Sequence, residues 1–175
     1  MQEIEIVPFS EKYIMDKVNW YNNEAITKFL HYEEKFTYEG TYAWLEKIKE
    51  DNTRYENVIE INEDNNKIPI GIIGLFNIDL KNKKAGFYIT IGNVQYQGKG
   101  YAYKATIKFL EDCFKKYDLE KIYLYTDYEN EKAIKLYERV GFKREGLLRK
   151  ELYYKGRYID RYYYGLLKGE LKGGN

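Results

Sequence analysis

The sequence is poor in the residues that build cross-links and metal sites. Among its 175 residues it has one cysteine, one histidine and two prolines. Cys113 therefore has no partner for an intramolecular disulfide, and its apolar neighbours at helical spacing predict a buried thiol in a reducing compartment. With His31 as the single histidine, a Cys/His metal cluster is excluded, so no metal is expected.

Long apolar runs are also missing from the sequence. No segment approaches the length that spans a membrane, and the first residues resemble neither a signal peptide nor a transit peptide. We therefore expect a cytoplasmic protein with no membrane partner. The length predicts a single domain over residues 1–175, which is large enough to bury its own core.

Tyrosine is the residue in excess, with 21 copies against 8 phenylalanines. It joins apolar area to a polar tip, which suits strand edges and wet cavities. Residues 1–97 carry a net charge of −5 and residues 98–175 one of +6. This suits a cationic substrate and an anionic cofactor, unless both sets of charges lie on solvated surfaces. The overall charge of +1 and the lack of a recognised motif argue against a nucleic-acid partner.

Hydrophobic periodicity predicts one mixed sheet with helices on its faces. Strands are predicted at residues 2–7, 55–61, 70–78, 85–91, 121–125, 149–154 and 158–167. Helices are predicted from Ser10 to about residue 21, around residues 26–30, from Thr37 through Ile48, at 98–117 and at 130–140. The second to fourth strands predict an antiparallel meander. The helix after Thr37 is expected to turn Tyr42, Trp44, Leu45 and Ile48 inward.

A glycine-rich loop joins the fourth strand to the long helix. Gly98 and Gly100 allow a sharp turn and close approach of a ligand, and the first amides of a helix are free to bind an anion. Lys99 and Lys104 add positive charge. The loop therefore predicts a phosphate site, with an ordinary strand-to-helix turn as the alternative. Its spacing differs from the nucleoside-triphosphate loop and from the dinucleotide fingerprint.

A second segment, about thirty residues later, pairs an asparagine with a tyrosine. Asn130 is placed to cap a helix or to offer its amide to a ligand. Tyr137 lies two turns further on, on the same helical face. A phenol aimed at a thioester sulfur would give its proton to the departing thiolate, whereas packing is the alternative role.

Together the two segments resemble the GNAT superfamily of acyl-CoA-dependent N-acyltransferases. The family's loop pattern, Gln/Arg-x-x-Gly-x-Gly/Ala, is matched by Gln95, Gly98 and Gly100, with Ala102 following. The family's later motif is matched without gaps by Asn130, Ala133, Leu136, Tyr137, Gly141 and Phe142. The resemblance implies an α/β (α+β) GNAT-like fold over almost the whole chain. Its central sheet would be mostly antiparallel, with a splayed parallel strand pair and flanking helices.

The resemblance also implies a donor site. Acetyl-CoA would lie between the splayed strands, and a neutral amine would attack it directly while Tyr137 acts as general acid. The residues expected to bind acetyl-CoA are Tyr88, Ile89, Thr90, Ile91, Gln95, Gln97, Gly98, Lys99, Gly100, Tyr101, Ala102, Asn130 and Lys132.

The resemblance identifies the acceptor less precisely than it identifies acetyl-CoA. Trp20-Tyr21-Asn22-Asn23-Glu24 resembles a branch of ribosomal-protein N-terminal, polyamine and nucleotide-amino-sugar acetyltransferases, and so do residues 144–149 with the strand at 158–160. The acceptor would be a primary amine of a nucleotide-linked amino sugar or polyamine, or a protein N-terminus. Trp20 and His31 are expected to bind it, with core packing and loop packing as their alternatives. The branch allows a homodimer in which the final hairpin, residues 149–167, shapes the acceptor site.

The general base fits the family template least well. Members of this branch often carry an Ala-Glu pair where this chain has Ala85-Gly86. The candidates are Glu33, Glu34, His31, Asp79 and a water chain ending on a backbone carbonyl. We expect a water relay with Glu33 or Glu34. The missing carboxylate also motivates an alternative function, a non-catalytic acetyl-CoA-binding sensor or scaffold.

Overall fold

A computed structural model describes residues 2–173 as a seven-stranded sheet in the order β1-β2-β3-β4-β5-β7-β6. The strands are β1 (Ile4–Pro8), β2 (Tyr55–Glu63), β3 (Asn66–Asp79), β4 (Lys84–Ile91), β5 (Lys121–Asp127), β6 (Lys143–Tyr154) and β7 (Arg157–Leu167). The helices are α1 (Ile14–Tyr21), α2 (Glu24–Thr27), α3 (Tyr38–Ile48), α4 (Tyr101–Lys116) and α5 (Glu131–Val140). None of the helices within residues 2–173 is long and apolar enough to cross a bilayer.

The strand pairing confirms the predicted fold class. β1 to β4 run antiparallel in sequence order, and β7 lies antiparallel between β5 and β6. β4 and β5 form the parallel pair at the centre of the sheet. The long connection between them holds α4, as parallel strands require a crossover.

Helices cover both faces of this sheet. α4 packs on β1, β3 and β4 with α5 beside it, whereas α1 packs against α3 and β3 on the opposite face. Neighbouring residues of β3 divide between the two cores: Ile72 packs with the α1 side and Ile73 with the α4 side, and both are fully buried. A strand covered on both faces has no polar side, which explains the almost unbroken apolar run from residue 70 to 78.

Two of the three predicted helix caps form. The Thr37 hydroxyl accepts a hydrogen bond from the Gly40 amide at 3.1 Å, and the Asn130 side chain accepts one from the Ala133 amide at 3.3 Å. The Ser10 side chain makes no capping bond. The chain passes instead through a 3₁₀ turn, Glu11–Tyr13, before α1 begins.

Some predicted positions were wrong. Tyr42 is 39% exposed, because it stacks with Tyr38 on the outer side of α3. α2 ends at Thr27, so the remainder of its predicted span lies in the following loop. β6 begins at Lys143, six residues earlier than predicted, because the chain already pairs with Gly165 of β7 there. Cys113 is buried, as predicted.

Candidate active site

The parallel strands β4 and β5 separate soon after they meet. Residues 84–86 lie opposite residues 121–123, and the pairing ends at Gly86 and Tyr123. β4 remains paired with β3 as far as Ile91, so only its edge towards β5 is released. This edge contains the predicted donor-site residues Tyr88, Ile89, Thr90 and Ile91. Released main-chain groups need partners, so the edge is suited to an extended polar ligand.

The glycine loop at the far end of the opening has a conformation that favours glycine. Gly98 and Gly100 have φ angles of +71° and +83°, and Gly100 is the N-cap of α4. A Cβ at Gly98 would meet no atom within 4 Å, so the loop is open to a ligand. The Gln97 side chain donates to the Ile91 carbonyl at 2.8 Å and ties the loop to β4. Free helix amides and the exposed Lys99 suit a pyrophosphate.

The other predicted donor-site residues have different surroundings. The ring of Tyr101 is buried and its hydroxyl donates to the side-chain oxygen of Gln2 at 2.6 Å. Asn130 uses its side-chain oxygen as the cap of α5. The remaining ones lie at or near the surface around the loop and at the start of α5: Gln95, Ala102 and Lys132.

Tyr137 lies on α5 and packs into the core beside β4. Its ring contacts those of Phe87 and Phe142 edge-on, at centroid distances of 6.5 and 5.8 Å. Burial raises the pKa of the phenol to about 12, and the positive charge of Arg161 opposes this shift. A phenol with such a pKa keeps its proton at neutral pH, as a proton donor must.

A cavity of about 800 Å³ lies between α1, α3, the loop of residues 28–37 and strands β2 and β4. Its aromatic walls are Tyr21, Tyr32, Phe36, Trp44 and Tyr88. Three predicted residues also line it: His31 and the exposed Glu33 and Glu34. Because Tyr88 belongs both to the released edge of β4 and to this wall, the cavity adjoins the opening. Aromatic faces and carboxylates together suit a cationic amine.

Trp20 and Gly86 are explained by packing. Trp20 is buried in the core of the α1 side, where its ring lies so close to Gly92 that a Cβ has no room. It is not among the residues that line the cavity. Gly86 is covered in the same way by the ring of Phe76. The ring therefore occupies the space that a glutamate at position 86 would need.

Two buried charged residues of the cavity were not predicted. Glu56 of β2 accepts hydrogen bonds from the Tyr88 hydroxyl and from Arg54 Nε, the latter at 3.3 Å, and burial raises the pKa of its carboxyl. The Lys17 ammonium lies 3.1 Å from the centre of the Trp44 ring. Burial lowers the pKa of this ammonium, and the Glu56 carboxylate opposes the shift. The sequence offers no clear signal for Glu56, because β2 also contains Asn57 and Glu60.

His31 connects the cavity loop to the end of β5. Its Nε2 lies 2.5 Å from Asp127 Oδ2, and the two side chains are only 4% and 2% exposed. Arg161 faces Asp127 from β7, with Nε 3.5 Å from Oδ1. The ring of Tyr154 packs edge-on against the imidazole at 4.8 Å. Asp127 was not predicted, although a carboxylate at the carboxyl end of a parallel strand is a recognisable sign of a site.

Comparison with known proteins agrees with this geometry. A family model described as an acetyltransferase (GNAT) domain matches residues 3–143. The spermidine N(1)-acetyltransferase of Vibrio cholerae serotype O1 is 34% identical over 142 residues, which are 81% of this chain and 80% of that enzyme. A prophage-derived N-acetyltransferase of Bacillus subtilis is 32% identical over 130 residues, 74% of this chain and 70% of that protein.

Solved structures show the same similarity. A crystal structure of spermidine N-acetyltransferase from Vibrio cholerae in complex with CoA and spermine matches with a TM-score of 0.88 at 29% identity. The match covers 95% of this chain and 96% of that one. A structure of that enzyme described as dodecameric matches with a TM-score of 0.80 at 29% identity, over 94% of this chain and 93% of the other.

Proposed function

Because this chain belongs to the GNAT family of acetyltransferases, we propose that it transfers the acetyl group of acetyl-CoA to a primary amine of a polyamine. The family membership makes it an acetyl-CoA-dependent N-acetyltransferase. The observation that carries the choice of acceptor is the aromatic cavity with acidic residues that adjoins the released edge of β4. Relatives named for spermidine, one of them solved with spermine, support the same choice.

The composition of the cavity favours a polyamine over the other two acceptors. Its aromatic walls attract ammonium groups, and the exposed Glu33 and Glu34 are placed to hold a second, distal ammonium. A nucleotide-linked sugar would need free cations for its phosphates. Of the three lysine and arginine residues that line the cavity, Lys17 is buried and Arg54 is already paired with Glu56, which leaves Lys35. A protein N-terminus would not need the distal carboxylates.

The donor side of the proposal uses the main chain. Amides of residues 97–102 would hold the pyrophosphate, and the released edge of residues 88–91 would pair with the pantetheine arm and steady the carbonyl as charge develops. The amine attacks directly, and Tyr137 donates its proton to the departing thiolate.

Base catalysis through water by Glu33 or Glu34 stays a prediction. Self-association of the chain, by analogy with the dodecameric relative, is a further proposal that light scattering tests.

Release of free CoA with a panel of amines tests the function. Burial of Cys113, which raises the pKa of its thiol to about 12, keeps the protein's own thiol from reacting with the thiol reagent of the assay. We expect turnover with spermidine and spermine and little with an amino sugar nucleotide or a peptide N-terminus. Tyr137→Phe should slow kcat by roughly 10²- to 10⁴-fold while acetyl-CoA still binds.

The second candidate function is a non-catalytic acetyl-CoA-binding sensor or scaffold, which the glycine at position 86 favours. Its signature would be tight acetyl-CoA binding by calorimetry without CoA release on any amine. Turnover limited to the sugar nucleotide or to the peptide would reject the polyamine proposal but retain the acetyltransferase. The two results therefore separate an error about the acceptor from an error about catalysis.

A further inference from the structure

We infer that His31, held by Asp127, takes the proton from the acceptor amine, an inference that rests on the proposed acetyl transfer. Both residues lie where the acceptor cavity meets the end of β5. A base in this place would replace the glutamate that the family resemblance predicts at position 86, where this chain has glycine. The geometry, in which a buried imidazole is bonded through one nitrogen to a carboxylate, is the one that makes histidine a base in hydrolase triads.

An unpaired polar atom marks this cluster as a place for a ligand. Among residues 2–173, five buried side-chain atoms have no hydrogen-bond partner, and three of them belong here: His31 Nδ1, Asp127 Oδ1 and Arg161 Nε. The last two lie 3.5 Å apart as an ion pair, which leaves His31 Nδ1 without a partner. Buried polar atoms are normally satisfied, so a donor to His31 Nδ1 is expected at the cluster, and an amine nitrogen carries one.

The carboxylate determines which nitrogen is basic. Asp127 only accepts hydrogen bonds when ionised, so the imidazole must present its proton at Nε2. Nδ1 then keeps its lone pair. The backbone of His31 has a φ of +56°, a strained value for a residue other than glycine. Strain of this kind persists only where the surrounding structure holds the residue in place, and it is concentrated at active sites.

The proton balance of the step is complete. The amine nitrogen forms a bond to the acetyl carbon and loses one proton to His31 Nδ1, the carbon–sulfur bond breaks, and the thiolate takes one proton from Tyr137. Solvent then removes the proton from His31 and restores the one on Tyr137. The positive charge of Arg161 acts on Asp127, which holds the accepting imidazole, and on Tyr137, which donates the proton.

The pH profile of kcat/KM with spermidine is the first test. The groups that face His31 are Asp127, Arg161, Tyr154 and the neighbouring Tyr32 of its own loop. The acid-side limb contains the ionisation of the free amine, which every variant keeps, and that of the base. We expect the limb to become shallower in His31→Gln, because the ionisation of the base is lost, with kcat lower by roughly 10²- to 10⁴-fold and the Kd of acetyl-CoA unchanged. A limb that keeps its slope in His31→Gln and becomes shallower in Glu33→Gln or Glu34→Gln would overturn the inference.

The single histidine allows a second test that does not depend on turnover. Its ring nitrogens give one pair of ¹⁵N resonances, which report the tautomer directly. We expect the Nε2-protonated form, a mixture of tautomers in Asp127→Asn, and no change in the exposed Asp118→Asn control. Spermidine added with CoA should shift the Nδ1 resonance. The Nδ1-protonated tautomer, or an Nδ1 resonance that ignores spermidine while calorimetry shows binding, would contradict the inference.

The two tests also separate this inference from the proposed function. If the wild-type protein binds acetyl-CoA but releases no CoA with any polyamine, the polyamine proposal fails. The resonance experiment, repeated with whichever amine binds, then decides the role of His31 alone. If the wild-type protein turns over spermidine and His31→Gln does so within about threefold at every pH, only the inference fails.

Discussion

The Tyr88 hydroxyl donates a hydrogen bond to the Glu56 carboxylate two strands away. Tyr88 on β4, Gly74 on β3 and Glu56 on β2 lie directly opposite one another in the sheet. The tyrosine therefore crosses β3 at its glycine. A Cβ at position 74 would lie 2.7 Å from the Tyr88 hydroxyl oxygen and 2.8 Å from the Tyr55 carbonyl. One wall of the acceptor cavity depends on the absence of a side chain at Gly74.

Gly74→Ala should therefore displace the Tyr88 ring and break its bond to Glu56. Because the added methyl also presses on the backbone of β2, we expect a loss of about 1–3 kcal/mol in the free energy of unfolding, measured in urea. The KM for spermidine should rise while the Kd of acetyl-CoA stays the same. Gly146→Ala on β6 is the matched control, because a Cβ there would meet no atom within 4 Å. Equal effects of the two substitutions would refute this account.

The glycine loop and the cap of α5 were predictable from the sequence, and the buried charges around the cavity were not. Gly98, Gly100 and Asn130 have the local backbone geometry that short motifs encode. Glu56 and Asp127 acquire their roles from strand register and from contacts such as the one between residues 31 and 127, which are 96 residues apart in sequence. Such contacts leave no periodic pattern in a single chain.

Packing explains the remaining differences from the sequence-based predictions. Trp20 belongs to a motif in the sequence, but in the structure its ring packs in the core against Gly92, just after β4. Its position is therefore explained by packing. Glu33 and Glu34 were predicted as bases because they are acidic residues of the loop after the first helices, and that role stays a prediction. Both are exposed, which the sequence alone does not reveal.

Gly98→Ala tests the phosphate loop. Because Gly98 has a φ of +71° and open space around it, alanine adds backbone strain of about 1–2 kcal/mol and no steric clash. If the loop relaxes to relieve the strain, its amides move, so we expect acetyl-CoA to bind about tenfold more weakly by calorimetry. Gly156→Ala, at φ +81° in the β6–β7 turn with equally open surroundings, carries the same strain away from the loop. Gly156→Ala should lower the free energy of unfolding by as much as Gly98→Ala and leave acetyl-CoA binding unchanged.

Gly86→Glu would restore the carboxylate that the family template expects, yet we expect it to fail as a single change. The Phe76 ring occupies the required space, so the substitution should cost about 2–3 kcal/mol of stability in urea unfolding. Phe76→Ala removes the obstacle. The loss in free energy of unfolding of the double variant should therefore be smaller than the sum of the two single losses by at least about 1 kcal/mol. Strict additivity would show that the ring is not what excludes the glutamate.

Lys17 should make stability depend on pH in a defined direction. Burial lowers the pKa of its ammonium in the folded state below the usual 10.5. At a pH between the folded-state pKa and 10.5, the unfolded chain therefore binds more protons than the folded one. The cost of burying the charge is present at low pH and is relieved as the pH rises through the folded-state pKa. Compared with Lys17→Met, the wild-type protein should therefore gain stability from pH 6 to about pH 9.5 in urea unfolding. Lys47→Met, an exposed change on α3, should follow the wild-type curve, and a parallel curve for Lys17→Met would contradict the assignment.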